Sequence, residues 1–426
     1  MWKFLKRQMG VCLFLVLFSS IAHAESGLIG DGQMIGLNEA VARTLARNPE
    51  LVAFGHQLQA QDGRILQAGL APNPELSLTV ENALGTGEFT GIDGAETTLS
   101  IAWVLERSVR KRRLETARAG VSLVEVEADI MRLDAAAETA RLLFSCLSNQ
   151  AQMVNAGEAV HLAQETVKAV KKRVQAGKAP QAELARAQAE LARLKLNQED
   201  FEHELLSASR RLAAQWGETE PSFKRVNGDI LSLPSTESFA TLKTRIDRNP
   251  DIARFLSKQR VDEAELRLAE AQRKQDWRVS VGVRRLEITD DEALVANFTV
   301  PLALRSRNQG GIAEARANLA QTDADAVAAR IRVETSLFVI YQELQHSLHR
   351  AKAFRDDVIP QLEQALADTR NAYELGRYSY FEWHTVQKDL LEARHELVEA
   401  SVEAHKNTIE IERLTGVRIA QPTISP

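Results

Sequence analysis

The chain contains two copies of one sequence pattern. Residues Ala46–Leu51 (Ala-Arg-Asn-Pro-Glu-Leu) recur as Asp247–Ile252 (Asp-Arg-Asn-Pro-Asp-Ile), and further matching pairs follow at spacings of 198 to 201 residues. These pairs are Arg107-Ser108 with Arg305-Ser306, Ala117-Arg118-Ala119 with Ala315-Arg316-Ala317, Gly177 with Gly376, and Trp216-Gly217 with Thr415-Gly416. Each copy of a duplicated unit packs its apolar faces against the other copy or against neighbouring chains. The architecture is therefore predicted for each repeat separately.

The N-terminus has the three parts of a secretory signal peptide. Lys3, Lys6 and Arg7 form a basic segment, residues 11–18 form an apolar core, and Ala22-His23-Ala24 is a small-x-small cleavage site. We therefore expect residues 1–24 to be removed and the mature chain to be exported. No later segment approaches the ~20 apolar residues that a membrane-spanning helix needs.

Cysteine content and charge narrow the class of protein further. Cys12 lies in the signal peptide, so Cys146 is the only thiol of the mature chain and no intramolecular disulfide is possible. The net charge of −5 argues against a nucleic-acid partner. Aromatic residues make up only 5 % of the chain, and glycine and proline are scarce over long stretches, which favours long helices.

Each repeat is predicted to start with a helix and a β-hairpin. Residues 38–69 have helical periodicity that breaks or restarts at Asn48-Pro49, and residues 239–275 are their counterpart. Apolar and polar residues then alternate, which predicts hairpins at 76–105 and 278–304. Four strands cannot close a barrel, since small barrels need ~8 strands. We therefore expect the hairpins to pair between subunits or to pack on something larger.

Two very long helical segments follow in each repeat. Apolar residues advance by alternating steps of three and four from Leu184 to Leu212 and from Trp383 to Ile411, which predicts antiparallel coiled-coil hairpins at 107–216 and 305–415. Gly177 and Gly376 lie at the reversals, and Pro360 predicts a kink. The predicted repeats are 25–217 and 239–416, with a linker at 218–238 and a tail at 417–426.

Several of these segments resemble the TolC family of outer-membrane efflux proteins. The resemblance rests on Leu105–Arg112 (Leu-Glu-Arg-Ser-Val-Arg-Lys-Arg), on Val300-Pro301-Leu302 followed by Arg307–Ala315 (Arg-Asn-Gln-Gly-Gly-Ile-Ala-Glu-Ala), and on Tyr373-x-x-Gly376. It covers essentially the whole mature chain and is strongest toward the branch of cobalt-zinc-cadmium exporters. That branch commonly has Gly-Gly where this chain has Ser108-Val109.

The resemblance implies a mainly α-helical chain with a small β part that forms a homotrimer. Three chains of four strands would close one twelve-stranded barrel in the outer membrane, and the helices would continue it as a tunnel across the periplasm. The helical tips would dock on a periplasmic adaptor, which links the tunnel to an inner-membrane pump of the RND type. The alternatives are a channel for drugs or for type I secretion, a periplasmic adaptor, and a structural coiled-coil protein.

No catalytic, cofactor-binding or metal-binding residue is predicted. His346 and His349 have a spacing that could place two metal ligands on one helical face, but no cysteine or carboxylate cluster accompanies them, which favours a solvated or tunnel-facing surface. Residues 85–94 join two strands and do not open a helix as a phosphate-binding loop does. Ser, His and Asp are scattered without a nucleophile elbow, so an enzyme is not expected.

Two basic runs are the remaining candidates for function. Arg110, Lys111, Arg112 and Arg113 form either a solvated helix face or an equatorial contact beneath the membrane. The second run, around Lys171 and Lys172, lies near the first helical reversal and forms either a solvated face or a tip surface. The candidates for contact with the adaptor at the periplasmic tip are Arg173, Gly177, Lys178, Gly376, Arg377 and Tyr378.

Overall fold

A computed structural model describes residues 34–106, 108–302, 304–417 and 419, so the predicted signal peptide and most of the predicted tail lie outside the described residues. The first half contains β1 (Met34–Ile35), α1 (Leu37–Arg47), α2 (Pro49–Gly69), β2 (Glu75–Glu81), β3 (Glu96–Leu105), α3 (Val109–Gln175) and α4 (Gln181–Ala214). After β4 (Arg225–Val226), the second half contains α5 (Phe239–Lys243), α6 (Pro250–Ala271), β5 (Trp277–Leu286), β6 (Asp291–Thr299), α7 (Gln309–Ala353), α8 (Ile359–Glu374) and α9 (Tyr380–Thr415). The predicted fold class, mainly helical with a small sheet, is confirmed.

The two hairpins form one antiparallel sheet within the chain, in the strand order β2-β3-β5-β6. The hairpins pair with each other within the chain through β3 and β5 over ten residues, which the sequence did not predict, and pairing between subunits stays a prediction. β2 and β6 are the edges of this sheet, and the described residues offer no further strand to either. β6 ends at Thr299, not at Leu304, because Thr299 pairs with Arg278 and only Trp277 of β5 lies beyond that pair.

The long helices form two antiparallel hairpins that extend away from the sheet. α3 has 67 residues, which at ~1.5 Å per residue is a length of about 100 Å. In the second half the outgoing helix is divided: five π-helical residues, Phe354–Val358, separate α7 from α8, and Pro360 follows directly. Proline has no N–H and clashes with the carbonyl four residues earlier, so the wider turn accommodates it.

The apolar residues that recur at steps of three and four along the returning helices α4 and α9 are the seam residues, and the chain buries many of them. In α4 the buried seam residues lie at the two ends, at Leu184, Ala187, Ala208 and Leu212. In α9 burial is nearly continuous, at Trp383, Leu390, Ala393, Ala400, Ala404 and Ile411. Small residues at many of these positions allow the helices to approach closely. None of the helices in the described ranges is long and apolar enough to cross a membrane.

The repeated Arg-Asn-Pro motif ties the start of each repeat to its end. Asn48 accepts hydrogen bonds from the first amides of α2 through its side-chain oxygen, and its side-chain nitrogen donates to the carbonyl of Gln215 at 2.8 Å. Asn249 caps α6 in the same way and donates to the carbonyl of Leu414 at 2.9 Å. Each asparagine thus satisfies one helix start and one helix end.

A glycine completes each of these junctions. Gly217 and Gly416 follow the ends of α4 and α9 with φ of +82° and +66°. A Cβ on Gly416 would lie 2.5 Å from the carbonyl oxygen of Arg248, so no larger residue fits between the helix end and the motif. This packing gives a physical reason why Arg-Asn-Pro and the closing glycine recur together at both ends of the duplication.

Candidate channel sheet and helical tips

One face of the four-stranded sheet is apolar and uncovered. Strand register places Leu78, Leu99, Val283 and Leu294 in one row across all four strands, and Leu76, Ile101, Val281 and Ala296 in another. Successive side chains of a strand point to opposite faces, so both rows lie on the same face. Leu78 is 65 % exposed and Leu294 is 78 % exposed. A water-soluble monomer rarely leaves so continuous an apolar surface open.

The opposite face of the sheet is polar and is held by ion pairs between strands. Arg284 binds Glu96 at 2.6 Å and Glu81 at 3.1 Å, and Arg278 binds Glu75 at 2.6 Å. Gly282 lies on this face, where a Cβ would be 2.4 Å from the carbonyl oxygen of Leu99. The sheet therefore has one face suited to lipid and one suited to water.

Aromatic side chains mark the end of the apolar face nearest the helices. Trp103 pairs in register with Val279, which pairs with Phe298, and Trp277 lies beside Leu105 at the end of the same ladder. The rings of Trp277 and Phe298 meet edge to face with centroids 5.4 Å apart. Aromatic rings at such a boundary are typical of the interface between membrane and water.

The basic cluster just beyond the sheet divides into two pairs with different environments. Arg113 donates to the carbonyls of Ala68 and Leu70 at the end of α2 and forms an ion pair at 3.2 Å with Glu106, whose side chain is 8 % exposed. Arg112 forms an ion pair with Glu115 at 2.7 Å, and this hydrogen bond is the main reason why the pKa of Glu115 is lowered.

Arg110 and Lys111 form the second pair, and both are exposed. Neither makes a side-chain hydrogen bond or ion pair with any residue in the described ranges. The prediction of a solvated or contact surface thus applies to Arg110 and Lys111. Arg113 holds α3 to the end of α2 and to Glu106 just after β3, whereas Arg112 pairs only within α3.

The tips of the two helical hairpins touch, and Arg173 lies between them. Its guanidinium donates to the carbonyl oxygens of Tyr373 and Glu374 in the second tip, and to the carbonyl oxygen of Lys178 in the first. The guanidinium carbon also lies 4.6 Å from the centroid of the Tyr373 ring. Arg173 therefore links the two hairpins of the chain.

Tyr373 and Glu183 complete this contact, and Glu183 was not among the predicted residues. The Tyr373 hydroxyl donates to the Glu183 carboxylate at 3.2 Å. Burial is the main cause that raises the pKa of Tyr373 to about 12, and the Glu183 charge adds to it, so the hydroxyl stays a donor at neutral pH. The ring packs in an apolar cluster with Val170, Tyr380 and Trp383.

The other tip candidates lie on the surface around this contact. Gly177 and Gly376 have φ of +68° and +79°, which explains why glycine ends the outgoing helix in both halves. Lys178, Arg377 and Tyr378 are exposed. Both tips thus present a cation, and the second also presents Tyr378 together with the exposed side chains of Leu375 and Phe381.

The described residues contain no group of three His, Cys, Asp or Glu side chains placed to hold a metal ion. His346 and His349 are exposed on α7. Cys146 is buried in a core cluster with Leu143, Leu147 and Leu212, and burial raises the pKa of its thiol to about 11. The thiol is therefore a packing group and not a nucleophile at neutral pH.

Comparison with known proteins agrees with this geometry. Residues 40–218, which include the first repeat's hairpin and both of its long helices, match the outer membrane efflux protein family. The chain is also 26 % identical over 382 residues to the cobalt-zinc-cadmium resistance protein CzcC of Cupriavidus metallidurans, covering 89 % of this chain and 90 % of that one. Residues 40–218 are thus similar to outer membrane efflux proteins, and most of the chain is similar to CzcC. The chain is an outer membrane efflux factor homologous to CzcC, and the family that its first half matches consists of channels, which points away from catalysis.

Two solved structures share the fold of this chain over nearly its whole length. The outer membrane protein VceC of Vibrio cholerae superposes with a TM-score of 0.71 at 18 % identity, covering 90 % of this chain and 97 % of that one. CusC, whose structures address transmembrane channel formation, superposes with a TM-score of 0.74 at 17 % identity, covering 89 % of this chain and 92 % of that one. The chain therefore shares its fold with these two proteins.

Proposed function

We propose that three copies of this chain form a passive exit channel for heavy-metal cations across the outer membrane. The observation that carries this proposal is the sheet, which has an uncovered apolar face, a polar face and two unpaired edges among the described strands. In a bilayer each unpaired backbone group costs several kcal/mol, so such a sheet is stable only when its edges pair and the barrel closes. Three chains supply twelve strands.

The helical region supports the same assembly. α4 and α7 carry large exposed apolar residues that the chain itself does not cover, among them Leu196 and Leu206 on α4 and Val327 and Ile331 on α7. In a ring of three chains, the free side of one chain's hairpins lies against the free side of the next. Contact between these surfaces removes their apolar area from water.

The proposed partners follow from the two ends of the molecule. The apolar face of the sheet contacts outer-membrane lipid. The exposed tip residues Lys178, Arg377 and Tyr378, around the Arg173 contact, meet a periplasmic adaptor, and that adaptor connects the channel to an inner-membrane pump. The pump supplies the energy, so the channel needs no cofactor.

The cargo is proposed from the relative CzcC, whose name records resistance to cobalt, zinc and cadmium. A conduit does not need a tight site for its cargo, because tight binding slows release. A strain that lacks this chain, but keeps the matching adaptor and pump, is grown with graded cobalt, zinc and cadmium and separately with common drugs. We expect loss of metal resistance, restored by the intact gene. Drug sensitivity without metal sensitivity would identify a multidrug channel and overturn the proposed cargo.

A further inference from the structure

Exposed apolar residues follow the sheet in the second half. Val300, Leu302 and Leu304 occupy every second position after the last paired residue of β6, Thr299. Leu302 is 76 % exposed and Leu304 is 78 % exposed. The amide of Leu304 donates to the carbonyl of Leu302 in a tight turn, so the chain turns just after the sheet ends, and no strand in the described ranges covers these side chains.

Basic residues follow directly where this apolar surface ends. Arg305 comes after Leu304, and its side chain is exposed. In the first half, Arg110 and Lys111 follow the corresponding end of β3 at Leu105, and they are exposed as well. None of these three side chains makes a hydrogen bond or ion pair with a residue that the structure describes. We call Arg110, Lys111, Arg305, Leu302 and Leu304 the collar.

The local structure accounts for only part of these charges. Arg110 and Lys111 lie in the first turn of α3, where the helix dipole disfavours cations and where no acidic residue is present. Arg112 and Arg113, next to them, form ion pairs with Glu115 and Glu106, and the charge of Lys111 also helps to lower the pKa of Glu115. Each half thus places exposed cations a few residues after the end of a strand of the sheet, although the two sequences there differ.

We propose that the collar binds the anionic headgroups of phospholipids in the leaflet that faces the helices. This inference rests on the proposed function, since it requires the apolar face to lie in a bilayer. Leu302 and Leu304 contact the acyl chains near the headgroups, and the three cations contact the phosphates. The occupant is a lipid and not a free anion, because the cations follow the end of the apolar sheet and the exposed Leu302 and Leu304 within a few residues along the chain.

The experiment compares lipid retention by matched variants of the full chain. Protein is reconstituted in vesicles of equal parts phosphatidylglycerol and phosphatidylcholine and re-extracted in mild detergent, and the retained lipids are quantified by mass spectrometry. The test variant combines Arg110→Gln, Lys111→Gln and Arg305→Gln. The control combines Lys171→Gln, Lys172→Gln and Lys178→Gln, which remove the same charge near the tip, about 90 Å away along α3.

We expect the native protein and the tip control to retain phosphatidylglycerol in preference to phosphatidylcholine. The collar variant is expected to lose this preference by about fivefold for each charge that contacts a headgroup. Raised salt should weaken the preference in the native protein, and millimolar inorganic phosphate should not displace the lipid. An unchanged preference in the collar variant, an equal loss in the tip control, or displacement by inorganic phosphate would each contradict the proposal that the collar binds lipid headgroups.

Failure of the collar and failure of the channel give different results. A chain that inserts into vesicles of both lipids but does not prefer phosphatidylglycerol contradicts lipid binding by the collar and leaves the proposed channel intact. A chain that stays in solution without detergent contradicts the proposed channel. Circular dichroism and the oligomeric size of each variant establish that all of them are folded before lipids are compared.

Discussion

Removing the guanidinium of Arg173 is expected to separate the two helical tips without unfolding the chain. Its hydrogen bonds to the carbonyls of Tyr373, Glu374 and Lys178 are charge-assisted, and such bonds contribute ~1.5–3 kcal/mol each when fully buried. Arg173 is only half-buried, so solvent competes and we take ~0.5–1 kcal/mol for each of the three bonds. The contact with the Tyr373 ring adds ~0.5–1 kcal/mol. The contact between the tips therefore amounts to roughly 2–4 kcal/mol.

This energy governs a local opening. A loss of 2–4 kcal/mol raises the population of separated tips by roughly 30- to 1,000-fold, since ~1.4 kcal/mol is a factor of ten. Hydrogen exchange measured by mass spectrometry on Arg173→Met in detergent should show faster exchange at the amides of Lys178 and Arg377, which bond to the carbonyls of Arg173 and Ala372. The strands should exchange as in the native protein.

Two variants separate the geometry of Arg173 from its charge. Arg173→Lys keeps the charge but cannot form the three hydrogen bonds at once, so exchange at the tips should lie between that of the native protein and that of Arg173→Met. Lys172→Met removes an exposed neighbouring charge and should leave exchange unchanged. Native exchange in Arg173→Met, or equal acceleration in Lys172→Met, refutes this account of the tip contact.

Three further predictions concern the sheet, the junctions and pH. Leu78→Asp on the apolar face should destabilise the membrane-inserted protein by ~1–2 kcal/mol, measured by urea unfolding in vesicles, whereas Ser77→Asp on the polar face should cost much less. Asn249→Ala should lower the thermal unfolding temperature in detergent, because it removes a helix cap and leaves the buried carbonyl of Leu414 without its donor, at a cost of ~1–3 kcal/mol. Burial raises the pKa of Glu412 from its ordinary 4.5 to about 7. Its contribution to stability is therefore full below pH 4.5 and is lost as the pH rises through 7, so Glu412→Gln should stabilise the protein by ~1–3 kcal/mol at pH 8 and hardly at all at pH 4.

Each of these predictions has an outcome that contradicts it. Equal destabilisation by the two aspartate substitutions would mean that the two faces of the sheet do not differ in environment. An unchanged unfolding temperature in Asn249→Ala would show that the junction contributes little to stability. A Glu412→Gln variant that is no more stable than the native protein at pH 8 would mean that this carboxylate is well solvated in the folded state.

The sequence was sufficient to predict the elements that depend on local periodicity. The long helices, the glycines at their reversals and the two hairpins all follow from patterns within a few residues of one another. Pairing between β3 and β5 was not predictable in this way, because Leu105 and Trp277 are far apart in sequence and alternation does not select a partner strand. The same alternation also led to the prediction that the last strand extends to Leu304, although the strand pairing ends at Thr299.

The candidate sites show the same limit. Charge runs identified the right regions, but a run does not reveal which side chains reach a partner. Arg113 reaches the end of α2 and Arg173 reaches the second tip because of tertiary contacts, whereas Arg110 and Lys111 remain exposed. The bond between Tyr373 and Glu183 joins residues from different halves, and no local pattern marks Glu183.

The central claim is that this sheet is one third of a closed barrel. Its most direct test is the mass of the particle that the full chain forms after export in a Gram-negative host. That mass is measured by native mass spectrometry on protein extracted from outer membranes. The account predicts that detergent is required for extraction and that each particle contains three chains. A single chain that is soluble without detergent would contradict it.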